Sequence, residues 1–284
     1  MTASPRKLDP LNTTFLVGMH LLGIAALAYL WFYPPAMASV ILGVVCYLYC
    51  GLGITMGYHR LFAHPTYRAS TPVKAALLLA GAGSVQNSAL KWSSDHRAHH
   101  AHTDTDRDPY DSRKGLWWSH MGWIFYGDER GTDERRVRDL LQDPWLRWQD
   151  KHYVMLAITV TLLIPLALGS LWGDPIGAVL VAGILRLLCQ WHATFTINSF
   201  AHKIGTRPYC QDSSARDSTL IALVSMGEGY HNFHHRFPMD YRNGPRWWQF
   251  DPTKWLVWSL SKVGLTGELK RTPMNVVQRE RRAA

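Results

Sequence analysis

Gly227-Glu228-Gly229-Tyr230-His231-Asn232-Phe233-His234-His235 is the stretch that decides how this chain is read. It spaces three histidines as H-x-x-H-H. On a helix, offsets of three and four residues bring all three imidazoles to one face. Two upstream groups have related spacing: His59 with His64, and His96 with His99 and His100. Eight of the fourteen histidines therefore fall in three short boxes. A metal site built from imidazoles accounts for such grouping, and the rest of the chain is then expected to hold it.

Outward from the boxes, hydropathy sets the frame. The 284 residues are 47% hydrophobic, yet mean hydropathy is only −0.12, because apolar residues gather in two blocks with charge between and after them. The first block covers 13–33 and 35–57, joined across Pro34-Pro35. The second covers 153–171 and 176–200, joined by Trp172-Gly173-Asp174-Pro175. Each arm has about twenty residues, enough to cross a bilayer and longer than the apolar core of a signal peptide. The basic start and Ala36-Met37-Ala38 resemble a cleavable signal, but a second apolar run follows at once.

The expected architecture is all-α and membrane-integral, one domain over 1–284. Two transmembrane hairpins, about 13–57 and 153–200, lie under a helical cap of about 58–152 and 201–284. Within the cap, 73–89 contains Gly81, Gly83, Ser84, Gln86 and Asn87, which suits a helix packed on protein. Asp143-Pro144-Trp145 begins an aromatic amphipathic stretch at headgroup level. Arg186, Gln190 and His192 sit inside the fourth apolar arm and should face the bundle interior.

Net charge is +9. The two outer turns carry no lysine or arginine, so the termini and middle segment are expected on the cytoplasmic side with all three boxes. The basic residues form no nucleic-acid motif; anionic lipid or an acidic redox protein is the expected partner class. Cys46, Cys50, Cys189 and Cys210 make no C-x-x-C pair and no disulfide framework, so free thiols are expected.

A further spacing, Asn198 with His202, puts an amide and an imidazole four residues apart at the end of the fourth arm. Nine candidate imidazoles exceed the three or four that one ion needs and suit two ions. Imidazole sites favour Zn, Cu, Fe or Ni, and only a redox-active metal performs oxidative chemistry.

The patterns H-x4-H, H-x2-H-H, N-x3-H and H-x2-H-H, in this order, resemble the membrane fatty acyl desaturases of the stearoyl-CoA Δ9 type. The resemblance extends to Gly53-Ile54-Thr55-Met56-Gly57-Tyr58 before the first box and to Asp108-Pro109-Tyr110-Asp111 and Ser119-His120-Met121-Gly122-Trp123 after the second. Phe237-Pro238-Met239-Asp240-Tyr241 follows the third. It covers roughly residues 35–265. It implies four transmembrane helices under a cytosolic cap, and two iron ions held by His59, His64, His96, His99, His100, His202, His231, His234 and His235. Asn198 would hold a water on one iron. It also implies O2-dependent insertion of a cis double bond, Δ9 in this family, into a long saturated acyl chain.

Asp95, Asp104, Asp106, Glu228 and Asp240 are candidates to orient the imidazoles from outside. His120, in the Ser-His-x-Gly-Trp segment, is another. His20 and His192 are expected to be interior hydrogen-bonding groups, His102 a surface residue and His152 interfacial. Tyr47, twelve residues before His59, lies about 18 Å along the same helix and could close the end of an acyl tunnel. Gln86 and Asn87 match a segment near the acyl head, and Phe195 stands where eukaryotic members have tryptophan.

The acyl carrier stays open between CoA, a carrier protein and a phospholipid. Acyl-CoA members of animals have arginines at two positions where Ser94 and Gly127 stand here. Arg97, Arg107, Arg113, Lys114 and Arg130 are possible substitutes. No electron-transfer segment is recognisable, so a separate donor is expected: ferredoxin, rubredoxin or a b5-type cytochrome with its reductase. The rival readings are a histidine-box hydroxylase or monooxygenase, and a membrane protein with structural zinc.

Overall fold

The computed structural model describes residues 7–126 and 131–284; Arg6, Gly127 and Arg130 lie outside them. Four helices are long and apolar enough to cross a membrane: α1 Pro10–Phe32, α2 Met37–Ala63, α7 Tyr153–Leu171 and α8 Pro175–His202. Between them lie α3 Thr71–Ala82, α4 Ala89–His102, α5 Leu116–His120 and α6 Pro144–Lys151. After them come α9 Thr219–Val224, α10 His231–Arg236, α11 Pro252–Lys262 and α12 Met274–Ala283. The only paired strands among the described residues are β1 Arg68–Ala69 and β2 Thr266–Gly267, antiparallel and two residues each.

The helix starts follow from local chemistry. Asp9 caps α1 through the Asn12 amide, with Pro10 in the first turn. Ser88 caps α4, Asp143 caps α6 ahead of Pro144, and Asp174 caps α8 ahead of Pro175. An oxygen acceptor followed by a pre-set φ is a favourable N-terminus. Asp174 does more than cap. Its carboxylate also accepts from Ala36 N at 2.8 Å and Ser39 Oγ at 2.6 Å, so it joins the two outer turns.

The first hairpin is longer than hydropathy implies. Helix α2 does not stop near Gly57 but continues through Ala63 into the cap, and its last eleven residues, Gly53–Ala63, are π-helical. This stretch packs tightly on α3. A Cβ on Gly53 would lie 2.3 Å from Gly81 N, so the two backbones touch where only glycine fits. Around this crossing Ile54, Met56, Tyr58, Leu61, Phe62, Leu77 and Leu78 form the main core, joined by Leu90, Leu146 and Val257 from the cap.

Arg186 is buried within α8, as its place in the span requires. It donates to Ala182 O, Gly83 O and Gln190 Oε1. Gln190 and Trp191 donate onward to Ser84. These bonds engage polar groups that the bilayer interior could not satisfy, leaving Arg186 Nη2 buried without a partner among the described residues. On the cap, α6 turns Trp145 and Trp148 outward and α11 does the same with Trp255 and Trp258. All four cysteines are free.

Candidate metal centre

Each histidine box is placed by a different local device. His59 and His64 are five residues apart, which on an α-helix separates them by about 140° around the axis. The π-helical end of α2 removes this problem, because its i→i+5 bonding stacks residues five apart. His64 N accordingly donates to His59 O at 3.1 Å. The second box lies on α4 and the third on α10, while His202 closes the last turn of α8.

The nine histidines meet as two sets. His59, His64, His96, His100 and His234 form one; His99, His202, His231 and His235 form the other. Within each set one ligating atom per residue lies within 4.8 Å of all the others. The expectation that all three imidazoles of a box act from one face is corrected here. In the third box His231 and His235 join one set and His234 the other. In the second box His96 and His100 join one set and His99 the other. Offsets of four differ by about 40° around a helix, whereas neighbours differ by about 100°. The i,i+4 pair therefore stays together and the third ring is sent across. The two sets abut, with the His100 and His235 rings stacked at a centroid distance of 4.4 Å.

The inward atoms are all Nε2. His59 faces His234 at 3.0 Å, His64 faces His96 at 2.8 Å, and His234 also faces His100 at 2.9 Å. In the other set His99 faces His235 at 3.2 Å, His231 faces His202 at 3.1 Å, and His235 faces His231 at 3.0 Å. Three of the Nδ1 atoms point outward to acceptors, while that of His231 is buried with no partner among the described residues. His59 donates to Glu228 at 2.7 Å, and His99 donates to Asp108 at 2.9 Å. His202 donates to Ser214 Oγ at 2.6 Å, whose own hydrogen goes to Asp104. A neutral imidazole has one N–H. With that hydrogen spent outside, the Nε2 atoms of His59, His99 and His202 turn lone pairs into the sets, where a cation can accept them. The donor set thus fits a bound metal ion in each set.

Burial, and then the neighbouring imidazoles, push His64, His96, His100, His231, His234 and His235 well below the usual histidine range. They are neutral bases ready to ligate. Burial opposes ionisation of Glu228, but His59 and Arg60 outweigh it and hold its carboxyl down to about 2. Arg60, 1% exposed, ties this carboxylate to Asp251. Trp92 stacks on His96 and Tyr110 packs on His99.

The other expected residues divide. Glu228 touches a site histidine directly, and Asp104 acts through Ser214. Asp95 pairs with Lys91, Asp106 with Arg113 and Asp240 with Arg242. His120 bonds to Ser199 and His192 rather than to either set. Asn198 ends the α-helical part of α8, four residues before His202. Ser94 is buried against Asp133, Arg97 is committed to Asp139 and three carbonyls, and Arg113 to Asp106 and Asp111. Asp108, Ser214 and the Arg60–Asp251 pair are additional to the residues singled out from sequence. Only Asp108 had a signal, its place in the Asp-Pro-Tyr-Asp segment.

A cavity lies between α2, α8 and α9. Its lining includes Tyr47, Thr55, Gln190, Thr194, Ile197 and Met226. The Tyr47 hydroxyl donates to Val224 O at 3.0 Å. Gln86 donates to Thr194 Oγ1 at 3.0 Å, and Asn87, with φ of +73°, donates its backbone N–H to the Tyr153 hydroxyl. Phe195 turns the other way, onto Leu16, Trp191 and His120.

Residues 30–263 match the family model described as fatty acid desaturase. The "Probable acyl-CoA desaturase" of Schizosaccharomyces pombe is 41% identical over 276 residues, 96% of this chain and 57% of its own length. Acyl-CoA desaturase 1 of Saccharomyces cerevisiae is 39% identical over 281 residues, 96% of this chain and 54% of its own. The chain thus spans about half the length of these two relatives. The sn-1 stearoyl-lipid 9-desaturase of Anabaena variabilis is 34% identical over 273 residues, covering 95% of this chain and 96% of the relative.

Proposed function

This chain belongs to the fatty acid desaturase family, and from that premise we propose that it is an O2-dependent fatty acyl desaturase holding two iron ions. The observation that carries the reading is the pair of converging Nε2 sets, five and four strong, with carboxylates on the outward nitrogens of His59 and His99. The reaction is R-CH2-CH2-R′ + O2 + 2e− + 2H+ → R-CH=CH-R′ + 2H2O. Bound iron supplies the chemistry that no side-chain acid or base supplies, oxidative removal of hydrogen from an unactivated CH2 pair.

The protein's part is placement. His59, His64, His96, His100 and His234 hold one ion; His99, His202, His231 and His235 hold the other, with Asn198 adding a water-mediated contact. Glu228, Asp108 and the Asp104–Ser214 pair fix three of the rings. The cavity beside α2 and α8 receives the acyl chain, with Tyr47 limiting its depth and Gln86, Asn87 and Thr194 near its head. The whole chain acts as one membrane domain, with termini and cap in the cytoplasm. Electrons arrive from a separate acidic carrier of the ferredoxin, rubredoxin or b5-type cytochrome kind.

For the carrier, two readings stand. The yeast relatives' names favour acyl-CoA. The full-length match to a stearoyl-lipid desaturase, together with Ser94 and the engaged Arg97 and Arg113, favours a lipid-linked chain. Expression in a cell with defined fatty acids, followed by double-bond location in each lipid pool, tests both. A new cis alkene at one fixed position is expected. An alcohol product would indicate a hydroxylase, and zinc without O2-dependent product would indicate a structural site.

A further inference from the structure

Apart from the two sets, His20, His192 and His120 form a file rather than a cluster. His20 on α1 donates its Nδ1 hydrogen to Leu16 O at 2.7 Å. Its Nε2 faces His192 Nε2 on α8 at 3.1 Å. His192 turns its other nitrogen, Nδ1, to His120 Nε2 on α5 at 3.0 Å. His120 Nδ1 meets Ser199 Oγ at 2.9 Å, and that hydroxyl donates to Phe195 O at 2.7 Å. The file is thus five polar contacts long and ends at each side on a carbonyl, which only accepts. His192 offers different nitrogens to its two neighbours, so the three rings cannot close on one metal ion. The two sets differ in this respect, because there the Nε2 atoms converge.

The hydrogens can be counted. A neutral imidazole has one N–H and serine one O–H. Three imidazoles and one hydroxyl bring four hydrogens to five contacts, so one contact is bare. One added proton fills it. A second added proton would set two N–H groups against each other. We propose that His20, His192 and His120 together bind one proton and no more, and that this proton completes a tie from the first span through the fourth span to the cap.

Among the described residues, the charged groups of the elements packed on the file are engaged elsewhere. Helix α1 has no charged residue after Asp9, whose carboxylate is engaged with the Asn12 amide. Neither α5 nor the following turn, Gly122–Phe125, has a charged residue, and the turn before α5 carries Arg113, paired with Asp106 and Asp111, and Lys114, over the Trp118 ring. Helix α8 has only Arg186, bonded to Ala182, Gly83 and Gln190. Around the file pack Leu16, Met121, Leu187, Trp191 and Phe195. Burial, and then His192, lower the proton affinity of His120 below the usual histidine range. Uptake therefore lies on the acid side of the usual histidine range, and above it the file carries its gap. With both end contacts filled, that gap can sit at any of the three inner joints, because His192 and His120 pass a hydrogen by exchanging their two nitrogens' roles.

The test is a proton count on the metal-loaded protein in lipid nanodiscs, by pH-difference infrared spectroscopy with labelled histidine between about pH 8 and about pH 5, the range in which free histidine titrates. Replacing all three histidines by phenylalanine should remove one imidazolium from the count. Removal of two, three or none overturns the proposal. His192→Phe splits the file and leaves three contacts for three hydrogens, with Nε2 of His20 and of His120 facing no acceptor. An added proton on either ring would be a buried, unpartnered N–H, so the variant should take up one proton fewer than the wild type. A count equal to or above the wild type overturns the proposal as well. Histidine 15N NMR of the unsubstituted protein needs no variant to fold. The three rings should share one midpoint and sum to one proton, with His20 as the Nδ1–H form; separate midpoints or a larger sum would refute it.

Discussion

Asp108→Asn should empty half of the metal centre. Both carboxylate oxygens lie 2.9–3.0 Å from His99 Nδ1, and Asp108 is only 2% exposed. Asparagine keeps the shape but replaces a charged acceptor with a neutral amide that can present its NH2 side. Loss of such an outer partner typically lowers metal affinity about 10- to 100-fold, or about 1.4–2.7 kcal/mol. The effect should concentrate in the set containing His99, which has four imidazoles and none to spare, while the other set has five. The assay is metal per chain during titration with a competing chelator. At a chelator level where the wild type keeps two ions, Asp108→Asn should keep one. Asp106→Asn, at an exposed carboxylate paired with Arg113, should behave as wild type. Equal midpoints for Asp108→Asn and wild type would refute the role given to Asp108, and so would an equal shift in the Asp106 control.

Other substitutions probe different layers. Glu228→Gln leaves Arg60 with one carboxylate partner, Asp251, and unfixes His59. Breaking a buried pair costs about 3–5 kcal/mol, so a fall in thermal stability is expected, and a loss below about 1 kcal/mol would count against it. His234→Ala removes the nitrogen that faces both His59 and His100; desaturation should cease while protease protection still reports both hairpins inserted. Tyr47→Ala should lengthen the preferred acyl chain, read from the product profile, and an unchanged profile would remove Tyr47 from the tunnel. Asp217 supplies a pH signature. Burial pushes its carboxyl up to about 7, so between the ordinary aspartate value and about 7 the folded state holds more protons than the unfolded one. Stability should fall as pH rises through that window, and Asp217→Asn should flatten this slope in thermal unfolding. An unchanged slope would show that Asp217 is not its source.

Much of this was legible from spacing and hydropathy. The four long apolar helices and the nine histidines were readable because bilayer length and box periodicity are local properties. The partition of ligands was not, since offsets of three and four look equivalent until a second set exists to receive the odd ring. The π-helical end of α2 was also hidden. Nothing in Gly53-Ile54-Thr55-Met56 marks a change of pitch, which the tight glycine crossing with α3 accompanies. Asp108 escaped for a different reason. It reaches His99 by a loop that folds back, so no helical offset connects them. Carboxylates chosen for nearness in sequence, Asp95 and Asp106, found cationic partners near themselves instead.

The carboxylate of Asp174 has a consequence for biogenesis. It clasps Ala36 N and Ser39 Oγ, and the neighbouring Trp172 donates to the same serine at 3.0 Å. On a ribosome the first hairpin emerges long before residue 174 is made. That hairpin must therefore enter the membrane with its outer turn unclasped and wait for the second to arrive. Its own apolar length drives entry, and the clasp can close only once the second hairpin is present. Hairpins that failed to meet there would have little reason to bring His59, His64 and His202 into register on the other side.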